Sequence, residues 1–341
     1  MSDSRQVHVL NPFESVRKLC VSITKEMSER IVGQEEITTC LSAGLVIGGH
    51  VLMEGVPGLG KTLMAKTLAD VVSLSFSRIQ FTPDLMPSDI LGTEVASVNK
   101  LGEMEWTLRK GPLFANVVLA DEINRASPKT QSALLEAMQE RQISLGSKTY
   151  PLDPPYFVMA TQNPLESEGT YPLPDAQLDR FLMKLLVRFP TEEEVMAIVA
   201  RTTGKFDYPI SAVASAEDIT RAAAVIRQMP VADIVTAYAV RMVFATHPTS
   251  DAATDSVRRY VKVGASPRAA QSLMLVAKFH ATLDGRMNVA LEDIDRAALP
   301  CLRHRILRTF DAVADNVTTD AIIAEILKKL PKDKRWQSRG K

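Results

Sequence analysis

Cysteine is scarce in this chain of 341 residues: there are three, at positions 20, 40 and 301. An odd number at such scattered spacing fits reduced core thiols far better than a disulfide framework or a zinc site, so Cys20, Cys40 and Cys301 read as reduced thiols in a cytoplasmic protein. Charge of one sign is also missing, because 40 basic residues balance 40 acidic ones. The field of the whole chain therefore gives no reason to expect avid, sequence-independent nucleic-acid binding. Aromatics make up 6% of the residues, and Trp106 and Trp336 have no aromatic companions with which to build a base-stacking platform. The five histidines, His8, His50, His247, His280 and His304, show no ligand spacing. The longest apolar run, LSAGLVIGGHVLM, is broken by glycines and by His50, and the N-terminus lacks the basic start and apolar core of a signal peptide. No membrane insertion is expected.

What is present is ordinary globular composition, 46% hydrophobic and 23% charged, at a length suited to one large and one smaller domain. Five short apolar, β-rich runs fall in the first half: HVLME (50–54), SFSRIQF (75–81), ANVVLAD (115–121), PYFVMATQN (155–163) and RFLMKLLVRF (180–189). Helical patterns lie between several of them, as in SPKTQSALLEAMQE, where Ala133, Leu134, Ala137 and Met138 share one face. Strands alternating with helices call for an α/β fold whose parallel sheet is covered on both sides. After Pro190 the pattern turns to helices. Thr191 with Glu194, and Ser215 with Asp218, form candidate capping boxes that start helices near 192 and 216. Pro230, Pro248, Pro267 and Pro300 punctuate the later ones. The expected division is 1–190 for the sheet-bearing core, 191–330 for a helical domain and 331–341 for a mobile basic tail.

The chemistry begins at GVPGLGKT, residues 55–62, which follows one strand candidate and opens a helix candidate. Gly55, Gly58 and Gly60 let the backbone turn tightly and bring its N–H groups up to phosphate oxygens at a helix N-terminus. Lys61 is then placed to reach the β and γ phosphates, and the Thr62 hydroxyl to ligate Mg²⁺. A plain glycine-rich turn is the other reading. A second piece, VVLADE (117–122), is an apolar strand ending in two adjacent acids, which a buried strand end tolerates poorly without a cation or a reaction to serve. Asp121 suits a magnesium site, and Glu122 suits the polarisation of an attacking water. An acidic strand end that caps a helix is the alternative there. The third piece, ATQNP (160–164), sets Asn163 at the end of another strand candidate, where ligands of parallel sheets gather; an ordinary Asn-Pro turn would look the same. Phosphate loop, acidic pair and polar strand end, in that order on separate strands, describe a nucleoside triphosphatase.

Taken together, GVPGLGKT, LADEINRASPKTQSALLEAMQE, ATQNPLESEGTYPLPDAQLDRF and SPRA resemble the MoxR family of AAA+ ATPases, over roughly residues 28–310. The resemblance implies a five-stranded parallel αβα P-loop core with a C-terminal all-helical lid, and ATP with Mg²⁺ as cofactors. It implies a phosphate loop spanning Gly55, Val56, Pro57, Gly58, Leu59, Gly60, Lys61, Thr62 and Leu63. It also implies an adenine-contacting segment at Ile31–Gln34, with Val32 and Gly33 at its centre. Asn163 matches sensor 1. Arg268 matches sensor 2, which is expected to touch the γ phosphate of its own subunit, and Arg180 matches the arginine finger, which reaches the neighbour's nucleotide. Arg125 and Lys129 fall near that interface without a defined role. Residues 82–112 and 141–155 correspond to the helix-2 insert and the pre-sensor-1 hairpin, the second turning at Gly146 and Ser147. Also implied are a homo-oligomer, in all expectation a hexameric ring, and chaperone-like maturation of a client protein, including metal or cofactor insertion, with a partner carrying a von Willebrand factor A domain. Rival readings are a chelatase motor subunit, a nucleic-acid motor of the helicase type and a nucleotide-gated scaffold without turnover.

Overall fold

A computed structural model of the chain describes residues 11–98, 104–164, 169–204 and 210–332. The expected mobile tail concerns residues that, from 333 onward, lie outside the described ones, as do His8 and Trp336. Among the described residues the strands run β1 (Val51–Glu54), β2 (Phe76–Gln80), β3 (Gly92–Val98), β4 (Met104–Lys110), β5 (Val117–Asp121), β6 (Gln142–Leu145), β7 (Lys148–Pro151), β8 (Phe157–Gln162), β9 (Met183–Leu186), β10 (Val261–Val263) and β11 (Leu307–Arg308). The helices of the first half are α1 (Pro12–Arg30), α2 (Glu35–Ile47), α3 (Lys61–Val71), α4 (Pro87–Leu91), α5 (Pro128–Glu140) and α6 (Asp175–Leu178). The later ones are α7 (Glu192–Thr203), α8 (Ala216–Arg227), α9 (Asp233–Ala245), α10 (Asp255–Tyr260), α11 (Pro267–Leu283), α12 (Leu291–Leu302), α13 (Phe310–Ala314) and α14 (Thr319–Lys329).

The central sheet has five parallel strands in the order β2-β5-β8-β1-β9. Its inner strands β5, β8 and β1 are mostly apolar because both faces are covered, whereas the edge strand β2 carries Ser77, Arg78 and Gln80. Val51, Met53, Val117, Leu119, Phe157 and Met159 point into one core, while Leu52, Val118, Ala120, Val158 and Ala160 point into the other. Burying each of the larger side chains stabilises the fold by about 1.5–3 kcal/mol. The first core does not stop at the sheet: it continues through α1 and α2 into Ile219, Ala222, Leu273, Val276 and Ala297 of the later helices. The lid is thus packed onto the core by one continuous apolar cluster.

Register places the carboxyl ends of the strands along one edge. Glu54 pairs with Gln162, and Gln80 with Asp121. The two inserts are antiparallel hairpins, β3 with β4 and β6 with β7, and Gly146 at φ +56° makes the turn of the second. They meet where Glu94 accepts from Lys148 Nζ at 2.9 Å and from the Tyr150 hydroxyl at 3.0 Å. α7 and α8 begin at 192 and 216 with the capping boxes read from the sequence. Two details differ from expectation. The lid holds a short antiparallel pair, β10 with β11, whose partners are more than 40 residues apart and so leave no local pattern. Pro300 lies inside α12 near its end and does not terminate it, since only one helical hydrogen bond is lost there and the prolyl side chain is buried.

Candidate active site

The loop between β1 and α3 is set by backbone geometry. Gly58 and Gly60 sit at φ +84° and +75°, and a Cβ added to either would meet nothing within 4 Å, so the space in front of both is open for a ligand's approach. Gly55 is different: it is buried, and a Cβ there would press on Val187 at 3.0 Å. Lys61, the first residue of α3, folds its ammonium back under the loop and donates to the carbonyls of Gly55 and of Val56 (3.1 Å). Burial lowers its pKa, and the nearby carboxylates of Asp121 and Glu122 oppose that shift. Thr62 follows on the same turn and is half-buried, while Pro57 is exposed.

Asp121 ends β5 with its side chain 12% exposed. Its Oδ1 accepts from the Thr161 hydroxyl at 2.6 Å, and its Oδ2 accepts from Arg78 Nη2 at 2.7 Å. Glu122 leaves the strand in the left-handed region, φ +57° and ψ +50°, a conformation that a side chain other than glycine adopts rarely. Its backbone N–H donates to Thr161 Oγ1 at 2.8 Å, so one hydroxyl on β8 ties both acids together. Glu122 Oε2 accepts from Gln80 Nε2 at 2.8 Å and from Arg125 Nη1 at 2.9 Å. Asn163 is buried just past the end of β8, beside Thr161 and on the same sheet edge as the loop, whose Gly55 N–H donates to the Gln162 carbonyl.

A cleft of about 160 Å³ lies next to the loop, lined by Val32, Leu59, Leu63, Pro190, Ile198 and Thr202 among others. It is apolar with a few polar atoms, the character that a purine ring requires. Gly33, between the lining residues Val32 and Gln34, sits at φ +71°. A Cβ there would fall 2.1 Å from Glu194 Cδ, and the Gly33 carbonyl accepts from Arg188 Nη2 at 2.7 Å. Arg188 in turn pairs with Glu194, the capping residue of α7, which fixes that helix across the cleft.

Comparison with known proteins agrees with this geometry. Residues 50–183 match the model of the ATPase family associated with various cellular activities (AAA), and residues 254–326 match the AAA lid domain. The chaperone MoxR1 of Mycobacterium tuberculosis is 44% identical over 89% of this chain and 79% of its own length. The protein MoxR of Methylorubrum extorquens is 29% identical over 85% and 88% respectively. A crystal structure of a proposed ATPase from Cytophaga hutchinsonii superimposes with a TM-score of 0.86 at 41% identity, covering 94% of this chain and 96% of that one. The chain belongs to the MoxR family of AAA+ ATPases. It binds nucleotide and hydrolyses ATP.

In this MoxR-family ATPase the two arginines matched to sensor 2 and to the finger are neighbours. Arg180 and Arg268 line one cavity together with Gly48, Gly49, His50 and Leu182. Those four residues precede β1 and β9, so the cavity lies at the amino ends of the strands, whereas the phosphate loop follows the carboxyl end of β1. A four-residue strand spans about 13 Å, so the two sites sit at opposite edges of the sheet. The expectation that Arg268 touches the γ phosphate of its own subunit thus meets a geometry in which Arg268 stands at the sheet edge opposite its own phosphate loop. The lid docks on α1, α2 and the start of β9, which carries the N-terminus of α11 away from the loop. Both arginines are exposed, and Arg180 Nη1 donates to the Leu135 carbonyl at 3.2 Å.

Sequence reasoning overlooked Arg78, Gln80 and Thr161, which hold the acidic pair, and Pro190, Ile198 and Thr202, which line the cleft. Gln80 and Arg78 alternate along β2 and extend its apolar pattern into polar residues that face the next strand's acids, a signal visible only once β2 is known to pair with β5. Lys129 is exposed at the start of α5. Among the described residues no cluster of His, Cys, Asp and Glu could by itself hold a metal, and no helix is long and apolar enough to cross a membrane.

Proposed function

We propose that copies of this chain assemble head to tail into a ring, a hexamer in this reading, and hydrolyse Mg·ATP at each junction between subunits. What supports it is the separation of Arg180 and Arg268 from their own phosphate loop: two exposed guanidiniums, at the opposite sheet edge, fit a nucleotide held by another copy. Such heterologous contacts close into rings where the rotation from one subunit to the next closes.

The residues fit a magnesium nucleotide. Thr62 and Asp121 offer one hydroxyl and one carboxylate, the sparse oxygen set that Mg²⁺ accepts when phosphates and water complete its shell. When bound, the ion neutralises charge on the β and γ phosphates. Gly58 and Gly60 open the backbone to the phosphates, with Gly55, Val56, Pro57 and Leu59 shaping the loop, and Lys61 adds a positive charge there. Val32, Gly33 and Leu63 border the base. Glu122 takes the proton of the attacking water: Gln80 and Arg125 both engage Oε2, which leaves Oε1 as the accepting oxygen. Asn163 orients that water or reads the γ phosphate. Arg180 and Arg268 of the adjoining copy stabilise charge on the transferring group, an effect on the order of 10³–10⁵ in rate for arginine fingers.

The work done by the ring is chaperone-like remodelling of a client protein, in line with the chaperone name carried by the mycobacterial relative. Metal or cofactor insertion, a partner with a von Willebrand factor A domain and a cytoplasmic setting complete the reading, the last in keeping with three free, buried cysteines. The test mixes Arg180→Ala subunits with Glu122→Gln subunits, each inactive alone. Partial recovery of ATPase activity is expected, because an intact finger then meets an intact site across some junctions; absence of recovery under subunit exchange would overturn the trans assignment.

A further inference from the structure

We propose that Asp179 and Arg305 form a positioning joint that makes Arg180 and Arg268 a single unit, so that core and lid present both arginines to the neighbouring nucleotide together. This rests on the trans reading above and extends it to residues that do not themselves reach the nucleotide.

Arg305 follows the end of α12 and its side chain is 2% exposed. A buried guanidinium is tolerated only if its charge is paired and its five N–H donors are satisfied. Every one of them is occupied. Nε donates to Asp179 Oδ1 at 2.7 Å, Nη1 to the carbonyls of Leu182 and Cys301, and Nη2 to the carbonyls of Asp179 (3.2 Å) and Phe181 (2.7 Å). The Asp179 and Phe181 carbonyls flank Arg180 in the chain. A lid residue thus fixes the backbone on either side of the finger. His304, next to Arg305, adds a bond to the same Phe181 carbonyl at 3.0 Å.

The other oxygen of Asp179 faces the second arginine. Oδ2 accepts from Ser266 Oγ at 2.8 Å and lies 3.9 Å from Arg268 Nη1. Ser266 is the N-cap of α11, and Arg268 is the second residue of that helix. One carboxylate therefore ties the turn bearing Arg180 to the helix end bearing Arg268, and the buried Arg305 holds that carboxylate in place. Packing alone would need neither a charge nor a five-donor clamp at this spot; an apolar contact would serve as well. A displacement of about 1 Å in a group that stabilises developing charge can cost a factor on the order of 100 in rate.

The test uses Asp179→Asn, which keeps the volume and loses the charge, and Ser266→Ala, a milder second variant that removes only the Oδ2 partner and one cap. Each is expected to bind a fluorescent ATP analogue as the parent does while kcat falls, by about 10- to 100-fold for Asp179→Asn and less for Ser266→Ala. Mixed with Glu122→Gln subunits, either variant should regain activity, because its own nucleotide site is sound; mixed with Arg180→Ala subunits it should not, because both partners then offer a damaged finger. The reverse pattern, or an unchanged kcat in both variants, overturns the joint. Failure of the Arg180→Ala with Glu122→Gln mixture overturns the trans reading itself and the joint with it, whereas success there with no rescue of Asp179→Asn or Ser266→Ala rejects the joint alone.

Discussion

The guanidinium of Arg78 donates to Asp121 Oδ2 at 2.7 Å, from the strand beside it, while Thr161 takes the other oxygen. An arginine therefore neutralises the carboxylate proposed to help hold Mg²⁺, and the two cations compete for it.

Arg78→Gln should lower the Mg²⁺ concentration needed for half-maximal ATPase activity at fixed ATP. The side chain is half exposed, so the effect is about two- to fivefold, the range of a screened ion pair. A Mg²⁺ titration that moves the other way would mean that Arg78 shapes the site and does not compete for it.

Lys61 and Glu122 are expected to separate binding from turnover. Lys61→Ala removes the ammonium held beneath the loop and should abolish nucleotide binding, whereas Glu122→Gln should bind ATP and lose hydrolysis by a factor of about 10² or more. Equilibrium binding beside a phosphate-release assay checks both; a Glu122→Gln form that turns over at the parental rate would remove Glu122 as the base.

At Gly33 the backbone is at φ +71°, which strains any residue with a Cβ, and the added methyl group would push the carboxyl end of Glu194 from its place. Gly33→Ala should cost about 2 kcal/mol in stability and displace the capping residue of α7, opening the cleft. A raised KM for ATP and a lower melting temperature are the expected measurements, and an unaltered KM would separate α7 from nucleotide binding.

Buried histidines set an acid limit. His50 accepts from the Val158 N–H at Nδ1 and donates to the Met138 carbonyl from Nε2, and burial pushes its pKa down from 6.5 to about 4. Burial likewise pushes His280 down to about 4. Between those values the unfolded chain binds protons that the folded chain refuses, so stability is complete above pH 6.5 and falls as pH drops toward 4. The loss is on the order of 3 kcal/mol for each fully buried histidine. Denaturant midpoints at pH 7.5 and pH 5 check it, and equal values would contradict neutral, buried imidazoles.

Much of the fold is legible because it is written locally. The five parallel strands are mostly apolar runs bounded by breaks, and helix starts at Thr191 and Ser215 carry their own capping partners three residues on. The loop from Gly55 to Thr62 is contiguous, so its chemistry is visible without the sheet. By contrast, Arg78, Gln80 and Thr161 acquire meaning only through strand pairing, and a two-residue strand such as β11 has no periodicity to detect.

Order along the chain, spacing and residue type by themselves determined that a phosphate loop, an acidic strand end and a polar strand end occur in a parallel α/β protein with a helical second part. They could not determine to which edge of the sheet the second part delivers Arg268. That direction depends on the packing of α8, α11 and α12 against α1, α2 and β9, and on the clamp of Arg305 upon Asp179, contacts between segments more than 100 residues apart. Local propensities act over a few residues, whereas the burial of one shared apolar cluster chooses among whole-domain arrangements, and only the folded chain contains that choice.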